Sequence, residues 1–426
     1  IKKAAVLGAG VMGASIAAHL ANAGLDCLLL DILPPGLTDE DRRKGWTEET
    51  PAWRNKTAVA GLARAAGLKP PAFYTGKNAA RIRTGNLEDH LAWLNDADWV
   101  IEAVLEDIEV KQRLLARAAG HLKGTCIVST NTSGLSVRDM AAKAPPGLRP
   151  RFLGTHFFNP PRYMRLLELV PTEDTSPHVV RFMRAFCEDV LGKGVVLCRD
   201  VPNFIANRMG VFEIANAIQL MIRKNLGIED VDTLVGRELG RPGTALFGTV
   251  DLVGLDTAVQ IMTHLYEAAG DDEMRPLFRP AGFLTAMLEK GFLGDKAGRG
   301  FYRSFRNERG EKVREVLDYE KTGYVPLRRP VFPSLEEARR TDDPLRKIRV
   351  LFHGEDRGGA FVREYLCNNF IYATNRIPGV CDSPADMDRA MKWGYNHRFG
   401  IKGTVYRTLS ITIMYPVLGT ALKILS

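Results

Sequence analysis

Through the first two hundred residues, short apolar runs alternate with stretches of helical spacing. Ile1–Leu7, Asp26–Leu30, Trp99–Glu102 and Thr125–Thr130 read as strands. Helical patterns follow the first strand to Ala23, occupy Ile108–Ala119 and return at Pro177–Val190. Such alternation predicts an α/β domain on a doubly wound sheet. Late in this domain, Arg151–Phe158 and Leu166–Val170 flank Asn159-Pro160-Pro161, where two consecutive prolines cannot supply ladder donors. A hairpin-like reversal there brings His156 and Glu168 close together. A last strand, Gly194–Cys198, closes the domain near Asp200.

The alternation is broken between Pro34 and about Asn86, where residues 36–86 carry ten Lys/Arg against five Asp/Glu. Trp53–Ala66 is the clearest helical stretch, and the segment reads as a helical pair projecting from the sheet. Such a basic arm either meets the phosphates of a large substrate or is a solvated face. From Val201 the strand pattern stops. Phe204–Asn225 is a long helix with one apolar face, bearing Asn207 and Arg208 in its first turn. Shorter helices follow around Ile228–Leu239 and Asp256–Ala268, and this all-helical domain ends near Gly298–Tyr302.

Residues 303–345 are charged, contain proline and read as a linker. From about Asp356 the helical pattern returns. Phe361 answers to Phe204 and Pro384–Asp388 mirrors Ile228–Asp232, an internal repeat offset by roughly 157 residues. The position answering to Asn207 holds Glu364, so a second identical site is not expected. The expected domains are therefore 1–200, 201–302 and, after the linker, a degenerate helical repeat over 346–426. Val405–Ser426 is apolar apart from Arg407 and Lys423, and Pro416 interrupts it. A packed helix or irregular terminus is expected there rather than a membrane span.

Length and composition fit this division. A chain of 426 residues is too long for one ordinary domain, and 45% hydrophobic with 25% charged residues is a soluble globular composition. The net charge of +8 suits anionic partners such as coenzyme phosphates, and equally a merely basic surface. The basic residues are spread out and no nucleic-acid-reading motif is present, so nucleic acid is not an expected partner. Cys27, Cys126, Cys187, Cys198, Cys367 and Cys381 lack C-x-x-C spacing and neighbouring His ligands. They read as thiols of a reducing compartment, not as disulfides or a metal site. With the first strand entered almost at once, a cytoplasmic location is the expectation.

The first candidate chemistry is Gly8-Ala9-Gly10-Val11-Met12-Gly13, between the first strand and its helix. Gly8 permits the tight turn, Gly10 lets a pyrophosphate approach the backbone, and Gly13 allows close helix–strand packing. The helix N-terminus offers N–H donors to phosphate. Asp31 closes the next strand, where its carboxylate accepts from ribose hydroxyls and repels a 2′-phosphate. No Arg follows to neutralise one, so the reading is a Rossmann-type domain binding NAD rather than NADP. Glu106, Lys111, Asn131 and Ser133 belong to later strand ends or the helix starts after them, which line the cofactor crevice. A hydroxyl and an amide there suit a polar group near the nicotinamide, although Ser and Asn equally make turns and caps. His156 and Glu168 supply the pairing a general base needs, an imidazole and a carboxylate to fix its tautomer.

With the glycine loop, Asn131-Thr132-Ser133, His156-Phe157-Phe158-Asn159-Pro160, Glu168 and Asn207-Arg208 in this order, the chain resembles the L-3-hydroxyacyl-CoA dehydrogenase family over about residues 3–302. The repeat at about 356–400 looks like the second helical domain of the long bacterial multifunctional fatty-acid oxidation proteins. The resemblance implies oxidation of an L-3-hydroxyacyl-CoA in β-oxidation, with an acyl-CoA substrate and a homodimer. It implies His156 as general base, Glu168 as its orienting partner, and Ser133 and Asn207 holding the substrate's 3-oxygen. Gly8, Gly10, Met12, Gly13, Asp31, Glu106, Lys111, Asn131 and Asn159 would hold NAD. Closure of the helical domain, with a hinge near Asp200–Asn203, would exclude water.

The chain departs from that pattern in places. The family often has Pro-Gly-Phe where this chain has Pro202-Asn203-Phe204, and Asn tolerates left-handed backbone. The hydratase domain of the long relatives has no counterpart in these residues, so the dehydrogenase step alone is expected. Two rival readings stand beside this one. One is a β-hydroxyacid dehydrogenase independent of CoA, which would want a Lys on the long helix, and Lys224 is too near its end to fit well. The other is a non-catalytic NAD- or CoA-binding protein, against which the intact His156 and Glu168 argue.

Overall fold

A computed structural model describes residues 1–400, in which the apolar run Ala4–Leu7 lies fully buried inside a sheet. Two units divide the chain, Ile1–Phe204 and a second beginning at Ile205. The tail expected at Val405–Ser426 lies outside the described residues.

In the first unit the chain runs β1 (Lys3–Leu7), α1 (Val11–Asn22), β2 (Asp26–Asp31), α2 (Asp39–Arg43), α3 (Pro51–Arg54), α4 (Lys56–Ala66) and β3 (Ile82–Asn86). It continues through β4 (Trp99–Glu102), α5 (Ile108–Ala119), β5 (Ile127–Thr130), α6 (Val137–Ala142), β6 (Phe152–Phe157), β7 (Leu166–Pro171), α7 (Pro177–Asp189) and β8 (Gly194–Leu197). The strands form one sheet in the order β3-β2-β1-β4-β5-β6-β7-β8. β3 to β6 run parallel across the sheet, β6 pairs antiparallel with β7, and β7 is parallel to β8. Strand order reverses between β1 and β4, which opens a crevice at the carboxyl ends of the strands. On one face the sheet, α1 and α7 share a core that includes Ala17, Leu20, Trp99, Phe157 and Met183.

The polar interruption does not project from the sheet. α4 packs on the start of α1, where a Cβ on Gly61 would sit 2.3 Å from the carbonyl oxygen of Ala9. Ile82–Asn86, read as its polar end, is the edge strand β3 paired with β2. Ile82, Gly85 and Asn86 are buried, but Ile-Arg-Thr-Gly-Asn carries too few apolar residues to announce a strand. The basic residues Lys44, Arg54, Lys56 and Arg81 pair with Glu40, Asp89, Asp41 and Asp26. That pairing favours a folded, locally neutralised surface over a phosphate-seeking arm.

The second unit is built around α8 (Ala206–Arg223), followed by α9 (Ile228–Leu234), α10 (Phe247–Val253), α11 (Leu255–Ala268) and α12 (Gly282–Glu289). The stretch expected to be a linker is structured instead. β9 (Tyr302–Arg306), β10 (Lys312–Asp318) and β11 (Gly323–Pro326) form an antiparallel sheet, so the unit is not purely helical, and α13 (Pro333–Arg339) and α14 (Pro344–His353) follow. Alternate residues of β10 face solvent, while Val316 and Leu317 are buried. The charged face hid the strand pattern.

α15 (Arg357–Asn375) and α16 (Pro384–Gly394) stand where the repeat predicts helices. α15 packs along α8, with the rings of Phe212 and Tyr372 stacked 4.0 Å apart. Arg208 is buried and donates to Asp272 Oδ2 at 2.5 Å and to Tyr372 at 3.0 Å. Glu364, the residue answering to Asn207, pairs instead with Arg223 and with Lys224 at 2.9 Å.

Candidate active site

The glycine loop joins β1 to α1. Gly8 has φ +106°, and a Cβ there would lie 2.5 Å from the carbonyl oxygen of Ala103. A Cβ on Gly13 would lie 1.9 Å from the oxygen of Gly8, so only glycine lets α1 seat against the loop. Around the Cβ position of Gly10 nothing comes within 4 Å, and no side chain caps α1. Open space before uncapped helix N–H groups fits a pyrophosphate. Met12 stands half-buried in the first turn of that helix. Asp31 ends β2, and its carboxylate accepts from Ala9 N–H at 2.6 Å and Ile32 N–H at 2.7 Å. It ties the loop to the neighbouring strand end, and a carboxylate has lone pairs left for ribose hydroxyls.

Beyond the switch point, β4 ends in Glu102, a fully buried carboxylate. Lys111 of α5, buried as well, reaches Glu102 at 2.8 Å and Glu106 at 3.1 Å. Glu102 also accepts from Thr130 at 2.6 Å, and Glu106 from Thr132 at 2.6 Å and from Ser133 N–H at 2.8 Å. Burial opposes ionisation of Glu106, but Lys111 and these donors hold its carboxyl below the usual range. The network fixes the loops after β4 and β5, and with them the half-buried Ser133. Asn131 donates from its N–H to Glu102 O at 2.8 Å and accepts from Phe157 N–H at 2.9 Å, bracing β5 to β6. Glu102 was missed in the sequence, although a carboxylate closing a buried parallel strand was the available signal.

On β6 and β7, His156 is paired in register with Glu168. His156 Nδ1 lies 2.7 Å from Glu168 Oε2, with the side chains 5% and 0% exposed. Rings of Phe158 and Phe204 flank the imidazole at 4.5 Å and 5.7 Å between centroids. Asn203 takes φ +62°, the left-handed backbone that Asn tolerates, and Phe204 follows at +49°, where an aromatic residue is uncommon. Asn159 is exposed just after β6. Asn207 belongs to the second unit, buried in the first turn of α8. Among the described residues no His/Cys/Asp/Glu cluster could hold a metal ion, and no helix is long and apolar enough to cross a membrane.

Sheet topology, glycine loop and acidic strand end define a dinucleotide-binding domain of the doubly wound class. The family model described as the NAD binding domain of 3-hydroxyacyl-CoA dehydrogenase matches residues 3–201, and that of the C-terminal domain matches residues 204–304. A probable 3-hydroxyacyl-CoA dehydrogenase of Bacillus subtilis is 41% identical over 94% of this chain, which spans only 50% of that relative's length. One from Deinococcus radiodurans is 44% identical over 72% of this chain and 84% of the relative. Among solved structures, FadB2 of M. tuberculosis is 31% identical with a TM-score of 0.58, over 71% of this chain and 99% of that one. The chain belongs to the 3-hydroxyacyl-CoA dehydrogenase family, and its cofactor is NAD.

Proposed function

We propose that this chain catalyses the NAD-dependent oxidation of an L-3-hydroxyacyl-CoA to the 3-oxoacyl-CoA in fatty-acid β-oxidation, with His156 and Glu168 handling the proton. The observation that carries this reading is the 2.7 Å contact between His156 Nδ1 and Glu168 Oε2 beside the carboxyl ends of the NAD-domain strands. Bound NAD would supply the hydride acceptor. With Nδ1 donating to Glu168, Nε2 is left to take the 3-hydroxyl proton as hydride leaves C3. The buried carboxylate then stabilises the imidazolium. Ser133 and Asn207 hold the 3-oxygen as its charge develops. Gly8, Gly10, Met12, Gly13, Asp31, Glu106, Lys111, Asn131 and Asn159 hold NAD, by direct contact or by shaping the crevice.

The helical unit offers a place for the acyl chain. Gly210, Val211 and Ile214 continue the face of α8 that begins at Asn207, three, four and seven residues on. They line an apolar pocket together with Leu246, Val250 and Ile261.

Loss of NADH absorbance with acetoacetyl-CoA, in the wild type and in His156→Ala, tests the reaction. Turnover that falls about 10²–10⁴-fold in the variant is expected. A wild-type protein that binds NADH and leaves acetoacetyl-CoA unreduced would refute the reading.

A further inference from the structure

We propose that Lys193 is a positioning residue for this site, its ammonium gripping the connection between β6 and β7 so that Phe158 and Asn159 stay in place beside His156. The proposal rests on the function given above for His156 and Asn159.

Lys193 lies between α7 and β8 and is 5% exposed. Its Nζ donates to the carbonyl oxygen of Met164 at 2.9 Å and to that of Pro161. It also stands 5.7 Å from the centroid of the Phe157 ring, next to His156 in sequence. Both acceptors are backbone carbonyls. The titratable groups facing Lys193 are Cys187 of α7 and His19 of α1. Burial pushes the thiol up to about 12, and burial together with Lys193 pushes the imidazole down to about 3, so both are neutral. Among the described residues the ammonium is thus buried without a countercharge, an arrangement that costs stability. Burial brings Lys193 itself down to about 8.

The loop explains why a donor is needed there. Pro160 and Pro161 carry no N–H, and the N–H groups of Tyr163 and Met164 both turn back to Pro160 O, at 2.9 and 3.0 Å. The carbonyls of Pro161 and Met164 take a donor from outside the loop, the ammonium of Lys193. On the other side, Arg162 donates to Pro71 O at 2.7 Å and Phe73 O at 2.8 Å. Gripped from two sides, the loop has little freedom between the end of β6 and Pro161. That short span carries Phe158, whose ring lies 4.5 Å from His156, and Asn159.

The test compares wild type with Lys193→Met and Lys193→Arg. It measures NADH affinity by fluorescence titration from about pH 6 to about pH 10, acetoacetyl-CoA reduction, and the thermal midpoint. Lys193→Met is expected to weaken NADH binding and lower kcat, each about ten-fold, without a lower midpoint, because an uncompensated buried charge leaves with the two hydrogen bonds. Lys193→Arg is expected to restore both. In the wild type NADH affinity should decline above about pH 8 as Lys193 loses the charge that strengthens its bonds. Arg at 193 should remove that decline. Wild-type binding and kcat in Lys193→Met would overturn the proposal. So would a loss matched by a falling midpoint and left unrestored by Arg, since that marks a purely structural residue. If the wild type binds NADH without turnover, the reaction assigned above fails, and the affinity comparison still decides Lys193.

Discussion

His156 and Glu168 face each other across β6 and β7 and close to 2.7 Å with both side chains buried. Directly opposed residues of an antiparallel pair hold their Cβ atoms about 5 Å apart, so the two side chains meet without distortion. Glu168→Gln keeps the shape and removes the charge that stabilises the imidazolium. It should lower kcat about 10²-fold, within the range of general acid–base catalysis, and leave the KM for NADH unchanged. Steady-state kinetics at saturating NADH provides the check, and an unaltered kcat would remove Glu168 from the mechanism.

Asp31 already accepts two backbone N–H groups and stands where the ribose hydroxyls of NAD are proposed to bind. Asp31→Ser should raise the KM for NADH about 10- to 100-fold, the worth of a hydrogen bond to a charged group. It should also narrow the preference for NADH over NADPH, because the repulsion of a 2′-phosphate goes with the carboxylate. The ratio of kcat/KM for the two cofactors decides the matter.

Lys111 joins the carboxylates of Glu102 and Glu106 with its own side chain 1% exposed. Lys111→Met leaves Glu102 as a buried, uncompensated charge and should destabilise the first unit by about 3–5 kcal/mol. Arg113→Ala, which removes an exposed pair with Glu109, is the control and should be nearly silent. Denaturant midpoints of the two variants should differ clearly, and equal midpoints would contradict the buried network.

Acid should loosen the region around α2 to α4 in a defined window. Arg54 and Asn86 hold the Asp89 carboxyl down at about 2, and Lys56 does the same for Asp41. Folding lowers both values, so their stabilisation is complete above the unfolded carboxyl value of about 3.9. It is lost as pH falls toward about 2. Trp53, buried beside Arg54, should report the change by fluorescence, and Arg54→Met should move it to higher pH. An acid transition unmoved by that substitution would dismiss the Arg54–Asp89 pair.

Much of the first unit was legible because its signals are local. A glycine loop between an apolar run and a helix, and an aspartate closing the next strand, owe their meaning to neighbours within about thirty residues. Pro160 and Pro161 likewise marked the reversal that pairs His156 with Glu168. Where the hydrophobic signal is weak, it failed. β3 is an edge strand, β10 is charged at Lys312, Arg314, Glu315 and Asp318 with only Val316 and Leu317 buried, and neither reads as apolar. In the sequence both therefore read as polar connections, and the basic segment 36–86 reads as projecting, whereas α4 packs on α1.

By itself the sequence determined the strand–helix alternation around β1, β2, β4 and β5, the dinucleotide loop, and the candidate base with its carboxylate. These depend on periodicity and on residues a few positions apart. Only the tertiary structure decided that Glu102 anchors Lys111, that Asn131 braces β6, that Arg208 is locked by Asp272 and Tyr372, and that Lys193 reaches the loop after β6. Each of these joins side chains brought together by packing of whole elements. A buried polar group takes whichever partner the fold delivers, and chain spacing carries no record of that choice.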